Sequence, residues 1–185
     1  MIENLRNDIK RINRYVRTIK GEALSELMSL EQREKTDLGA VLNSVFSRVA
    51  KDFPKVTINN GEVRGMSPFV SGGHVSLERI LFNLLMNSCE GDGTSTASRI
   101  EVTVSLASPG DQVIIAITDD GPGLPPEMLR SREDVPILSR KDGGTGIGLL
   151  TVRTLLAASG GKLHLKNGYH AGAVATIELP LNGID

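Results

Sequence analysis

Six of the 20 glycines of this chain frame a single stretch. Gly121 and Gly123 follow directly on the apolar run 113–117, and Gly143, Gly144, Gly146 and Gly148 open the segment 147–159. Between them, residues 119–146 are rich in Gly, Pro and polar residues and show neither a helical nor an alternating period. A stretch of that kind interrupts regular structure. The chain must therefore close one element before 119 and begin another near 147, with an excursion between.

The flanks agree with that division. Residues 100–106 alternate apolar and polar, 108–111 read as a turn, and 113–117 are apolar, which together predict a hairpin. Residues 147–159 read as a helix that Gly160 and Gly161 end, and 163–165 with 173–181 predict a last hairpin around Asn167 and Gly168. Upstream, Thr36 or Asp37 caps a helix carrying Leu38, Val41, Leu42, Val45, Phe46 and Val49, which ends near Phe53 and Pro54. A short strand at 56–58 precedes a turn at Asn59, Asn60 and Gly61, and an extended segment runs over 63–70. Ser76 is read as the cap of a second helix, with Leu77, Ile80, Leu81, Leu84, Leu85 and Ser88 on its apolar side. The pattern is that of a mixed α/β domain over 36–185.

Residues 1–35 read differently. Ile2, Leu5, Ile9, Ile12, Val16 and Ile19 follow a 3, 4, 3, 4, 3 spacing, with charged residues between them, before a polar linker at 31–35. That stripe is narrower than the face a globular helix buries, which favours a seam shared with another helix over packing on its own domain.

Composition narrows the classes. Lys and Arg number 21 against 22 Asp and Glu, and aromatics are 3% with no Trp, so neither nucleic-acid binding nor an anionic membrane surface is indicated. One cysteine, Cys89, leaves no internal disulfide, and His74, His164 and His170 stand too far apart in sequence to suggest a metal pair. No apolar run approaches the ~20 residues needed to cross a membrane, and the polar start is no signal peptide. A soluble, cytoplasmic domain is expected.

Three clusters carry chemistry. Asn83 and Asn87 share one face of the second helix, where their side chains weaken the helix, and an amide oxygen suits Mg²⁺. Taken alone, the pair reads more readily as buried amides bonded to backbone. Asp119, Asp120, Gly121, Pro122, Gly123 and Leu124 put a carboxylate at a strand end before glycines that allow close approach of a ligand, although an ordinary Asp-Gly turn has the same letters. Gly144, Thr145, Gly146, Ile147, Gly148 and Leu149 open a helix, where N–H groups face a phosphate. They come too late in the chain for a dinucleotide fingerprint, and no Gly-Lys-Ser/Thr follows for a Walker loop.

In that order the three clusters resemble the N box and the two glycine boxes of the ATP-binding catalytic domain of bacterial sensor histidine kinases, in the GHKL ATPase superfamily. The resemblance covers about residues 37–181. It implies a two-layer α/β sandwich, the Bergerat ATP-binding fold, with a mostly antiparallel five-stranded sheet under three helices, preceded here by a long N-terminal helix. It implies ATP and Mg²⁺ as ligands. Asn87 would coordinate the metal, Asn83 would lie beside the phosphates, and Asp119 would accept from the adenine amino group. Gly121, Gly123 and Leu124 would pass the nucleotide, and residues 144–149 would wrap its phosphates. Lys141 would meet the γ-phosphate, and Ile137 or Leu138 would anchor the lid in place of the family's phenylalanines.

The chain departs from the family's full kinases in one respect: no His precedes His74, which reads as a surface residue at a helix start. The acceptor His is therefore expected on a helical hairpin that this sequence does not contain, with the N-terminal seam resembling that hairpin's second helix and making a homodimer. A response regulator is the implied downstream partner, and a membrane anchor is compatible with a full-length parent. The alternatives within the resemblance are a hydrolysing ATPase and a nucleotide-gated interaction module of the anti-sigma serine kinase type. Hydrolysing relatives carry a Glu at the place of Asn83, and an amide is no general base, which favours phosphotransfer.

Overall fold

The computed structural model describes residues 35–60, 68–107, 110–130, 147–169 and 171–181. The N-terminal seam, most of the 63–70 segment and the stretch 131–146 lie outside the described residues.

The described chain opens with strand β1 (Lys35–Asp37) and helix α1 (Leu38–Asp52). Asp37 is the cap, since its carboxylate accepts from the Ala40 N–H at 3.1 Å. The apolar positions Leu38, Val41, Leu42, Val45 and Val49 are all buried, and the helix stops at Phe53, whose N–H donates to Val49 O before Pro54. Strand β2 (Thr57–Asn59) follows, then β3 (Phe69–Ser71). β3 pairs antiparallel with β1, Thr36 opposite Val70, and the buried Thr36 hydroxyl donates to Gly72 O at 2.9 Å.

Helix α2 (His74–Glu90) begins earlier than its sequence suggests. Its first internal bond runs from Leu77 N–H to Gly73 O, so Gly73 is the cap and Ser76 sits buried inside the first turn. The β1–β3 pairing and the Thr36–Gly72 bond hold the chain at Gly72, so the helix starts before the serine is reached. The apolar side is Leu77, Ile80, Leu81, Leu84, Leu85 and Cys89; the place expected for Ser88 belongs to Cys89, and Ser88 is only half-buried. His74 is exposed at the helix start, as expected.

The long hairpin is β4 (Arg99–Leu106) and β5 (Gln112–Asp119), followed by the short helix α3 (Pro126–Arg130). Helix α4 (Ile147–Ala158) ends where Gly161 N–H reaches Leu156 O and Gly160 N–H reaches Ala157 O. Strands β6 (Lys162–Asn167) and β7 (Ala173–Pro180) complete the fold. The five-stranded sheet runs β2-β4-β5-β7-β6, antiparallel throughout except for β2 on β4. That parallel pair needs a crossover, and α2 provides it.

Alternation decides which face of the sheet is covered. Ile100, Val102, Val104, Val113, Ile115, Ile117, Ile177 and Leu179 point to one face and are buried under α1, α2 and α4. The outer face carries Glu101, Thr103, Ser105, Thr118, Thr176 and Glu178. The result is the two-layer sandwich that the resemblance implied. Asp119 is next in the inward series after Ile117, so a carboxylate appears on the helix side of the sheet where β5 ends.

Candidate functional site

Asp119 is held by one of its two oxygens. Oδ1 accepts from the N–H groups of Gly121 and Ala173, each at 3.0 Å, and the side chain is half-buried. Among the described residues Oδ2 has no hydrogen-bond partner. The protein has thus fixed the carboxylate's orientation while leaving an acceptor for something else.

Its neighbour Asp120 is fully used. Oδ1 accepts from the N–H groups of Ser98 and Arg99 at 2.8 and 2.9 Å, and Oδ2 accepts from the Ser98 hydroxyl. The Ser98 hydroxyl and the Arg99 N–H hold this carboxyl below the usual carboxylate range. Asp120 clasps the start of β4 to the end of β5. The two adjacent carboxylates therefore divide between clasp and binding.

The turn after Asp119 rests on the β6–β7 turn, which the sequence did not mark as part of a site. The Asn167 side chain meets the Leu124 backbone twice: Oδ1 accepts from Leu124 N–H at 2.7 Å, and Nδ2 donates to Leu124 O at 3.0 Å. Gly172, at φ +74°, lies so close to Asp119 that a Cβ there would fall 1.7 Å from the Asp119 carbonyl oxygen. Gly123, at φ +81°, packs its Cα against the Asn167 amide in the same way, with 3.1 Å from an added Cβ to Oδ1. Gly121 is buried beside the Asp119 carboxylate.

The second wall is helical. α2 and α4 pack together, and the start of α4 meets Asn83: a Cβ on Gly148 would lie 3.5 Å from the Asn83 amide oxygen. Asn87 is one turn further along α2 and exposed. Neither amide side chain has a hydrogen-bond partner among the described residues. Leu149 is half-buried against the core. Cys89 joins the two walls. Its buried thiol is pushed up to about 11, by desolvation first and then by the Glu90 and Asp119 carboxylates. α2 also packs against β5.

The sequence clusters fall into two groups: Asp119, Gly121, Gly123 and Leu124 where β5 ends against the β6–β7 turn, and Asn83, Asn87, Gly148 and Leu149 where α2 packs on α4. Ile147 opens α4. Ile137, Leu138, Lys141, Gly144, Thr145 and Gly146 lie outside the described residues. Among the described residues no group of three His, Cys, Asp or Glu side chains could hold a metal ion. A lone amide oxygen at Asn87 suits a Mg²⁺ that takes most of its ligands from phosphate and water.

Residues 72–183 match the family model described as histidine kinase-, DNA gyrase B-, and HSP90-like ATPase. The sensor histidine kinase ZraS of Salmonella typhimurium is 34% identical over 105 residues, which are 57% of this chain and 22% of ZraS. Sporulation kinase D of Bacillus subtilis is 24% identical over 180 residues, 96% of this chain and 34% of that kinase. The chain thus spans between about a fifth and a third of these relatives. In fold it is similar to the mycobacterial sensor histidine kinase MprB, with a TM-score of 0.68 and 22% identity over 82% of this chain and 99% of that one. The catalytic domain of histidine kinase ThkA superposes with a TM-score of 0.67 at 21% identity, over 80% and 95% of the two chains.

Proposed function

Because the chain belongs to the histidine kinase-, DNA gyrase B-, and HSP90-like ATPase family, we propose that it is the ATP-binding catalytic domain of a two-component histidine kinase. It transfers the γ-phosphoryl group of ATP to a histidine on a helical hairpin. Adenine enters beside Asp119, whose open Oδ2 accepts from the exocyclic amino group. The triphosphate runs toward Asn83, Asn87 and the start of α4, where helix N–H groups favour negative charge. Gly144, Thr145, Gly146 and Lys141 join this cradle on the strength of the sequence alone.

Asn87 would hold Mg²⁺ through its amide oxygen, and the ion would offset charge on the phosphates. Asn83 is the observation that carries transfer over hydrolysis. The side chain beside Gly148 is an amide, so it can orient phosphate oxygens but cannot take a proton from water. The protein's part is positioning, which is most of what phosphoryl transfer demands.

The 3, 4, 3, 4, 3 seam at the N-terminus supports a division into a dimerising helix at 1–35 and the catalytic domain at 36–185. A homodimer, an acceptor hairpin and a response regulator complete the proposed assembly. Among the described residues no helix is long and apolar enough to cross a membrane.

Incubation with γ-labelled ATP tests the reading, with and without a histidine-bearing hairpin from one of the relatives. The expected product is an acid-labile, alkali-stable label on the added hairpin, with little free phosphate. Rapid phosphate release independent of the hairpin would replace the kinase by an ATPase. Acid-stable label on a serine would replace it by a serine kinase.

A further inference from the structure

We propose that Asn167 is a positioning residue for base recognition, and that the β6–β7 turn sets the adenine preference of the site through Leu124. This rests on the nucleotide reading above and adds a residue to it.

The argument starts from what Leu124 needs. It follows Gly121 and Gly123, outside any strand, so its N–H and C=O have no ladder partners. Asn167 supplies both, at 2.7 and 3.0 Å, from 43 residues away. An asparagine amide has an acceptor and a donor on one rigid plane and so can bond both groups of one residue, as a neighbouring strand would. Asp has no donor for the carbonyl, and Ala has neither group.

The second half of the argument is where this bond acts. The turn pinned at Leu124 begins at Gly121, whose N–H holds Asp119 Oδ1. The β6–β7 turn that carries Asn167 ends at Ala173, whose N–H holds the same oxygen. Gly168 N–H closes that turn on Gly172 O at 2.9 Å, and Gly172 lies against Asp119 itself. Two turns thus grip one carboxylate oxygen, and Asn167 is the side chain that ties the turns to each other. With the tie in place Oδ2 points in one direction. A base with an amino group there is favoured, while the carbonyl of guanine at the equivalent position is repelled. Without it the turn from Gly121 to Leu124 loosens and the carboxylate gains orientations.

The expected result is a split. In N167A, affinity for ATP should fall about tenfold, as when a pair of hydrogen bonds to one residue is lost. GTP affinity should change less than about threefold, because GTP never used the oriented oxygen. N167S, whose hydroxyl can keep only one bond, should fall between. Titration of wild type, N167A and N167S with ATP and with GTP gives the ratio directly, and melting of the free proteins confirms that each is folded. An ATP-to-GTP ratio unchanged in both variants would overturn the proposal, as would equal loss for the two nucleotides, which marks a merely structural role. Failure of the wild type to bind ATP would instead remove the nucleotide reading and this inference with it.

Discussion

The two ends of the site are built on opposite plans. At the end of β5 nearly every polar group is occupied by the protein itself: Asp120 entirely, Asp119 by one oxygen, and the Leu124 backbone by Asn167. On α2 the Asn83 and Asn87 amides approach the start of α4 or solvent with no bond among the described residues. A flat base with one distinctive edge is recognised by a rigid edge, and rigidity comes from internal bonds. A phosphate and a hydrated cation bring their own strong ligands, so the protein there need only leave donors and acceptors open. Substitutions that break the internal bonds of the first end should therefore cost stability, and those at the second, function alone.

Gly172→Ala is the harshest test of the bonded end. A Cβ 1.7 Å from the Asp119 carbonyl cannot be accommodated at φ +74° without moving the turn. The expected loss is about 3 kcal/mol or more, read as a melting temperature lower by roughly 6–12 °C. Asn87→Ala should behave in the opposite way. Phosphotransfer to an added hairpin should drop at least about a hundredfold through loss of the metal oxygen, with melting unchanged because the side chain is exposed. A melting loss as large as that of Gly172→Ala would break the comparison.

Asp119→Asn sharpens it. The Gly121 and Ala173 N–H groups select the amide oxygen for the Oδ1 position, so the NH₂ must take the place of Oδ2. Stability should be largely kept, while a donor now faces the adenine amino group. Calorimetry should show ATP binding weakened about ten- to a hundredfold, or roughly 1.5–3 kcal/mol. Asp120→Asn is the mildest. The carboxyl of Asp120 is lowered in the folded chain, so its contribution is complete above the ordinary carboxylate value of about 3.9 and fades as pH falls through the folded value. The melting difference between wild type and variant should be about one or two degrees at pH 7, since an exposed carboxylate is screened. It should shrink toward zero in strong acid.

The sequence disclosed what repeats locally. The helical spacing of Leu38, Val41, Leu42, Val45 and Val49 and the alternation through 100–106 and 113–117 placed α1, β4 and β5. The choice of Asp119 over Asp120 came from the family resemblance, and the bonds of Ser98 and Arg99 explain why Asp120 is not the open carboxylate. What stayed hidden is non-local. β1 is three residues, Lys35 to Asp37, with no alternation to notice, and it forms because Phe69 to Ser71 lies opposite. Ser76 carried a capping signal that the β3 anchor overrode. Asn167 read as a turn residue, because its partner Leu124 is 43 positions away.

That separation along the chain has a kinetic meaning. The β4–β5 hairpin closes locally, but Asp119 is gripped only when Ala173, 54 residues later, arrives on β7. Pairings of such range are the slow ones in folding. The carboxylate is therefore in place before its orientation is, and competence to select a base is acquired with the docking of the last hairpin. Any nucleotide that requires the finished grip binds the folded chain alone. At a hundred times its dissociation constant it adds about 2.7 kcal/mol to the whole domain. Most of that should appear as slower opening of β7 and β6, the strands whose arrival completes the site.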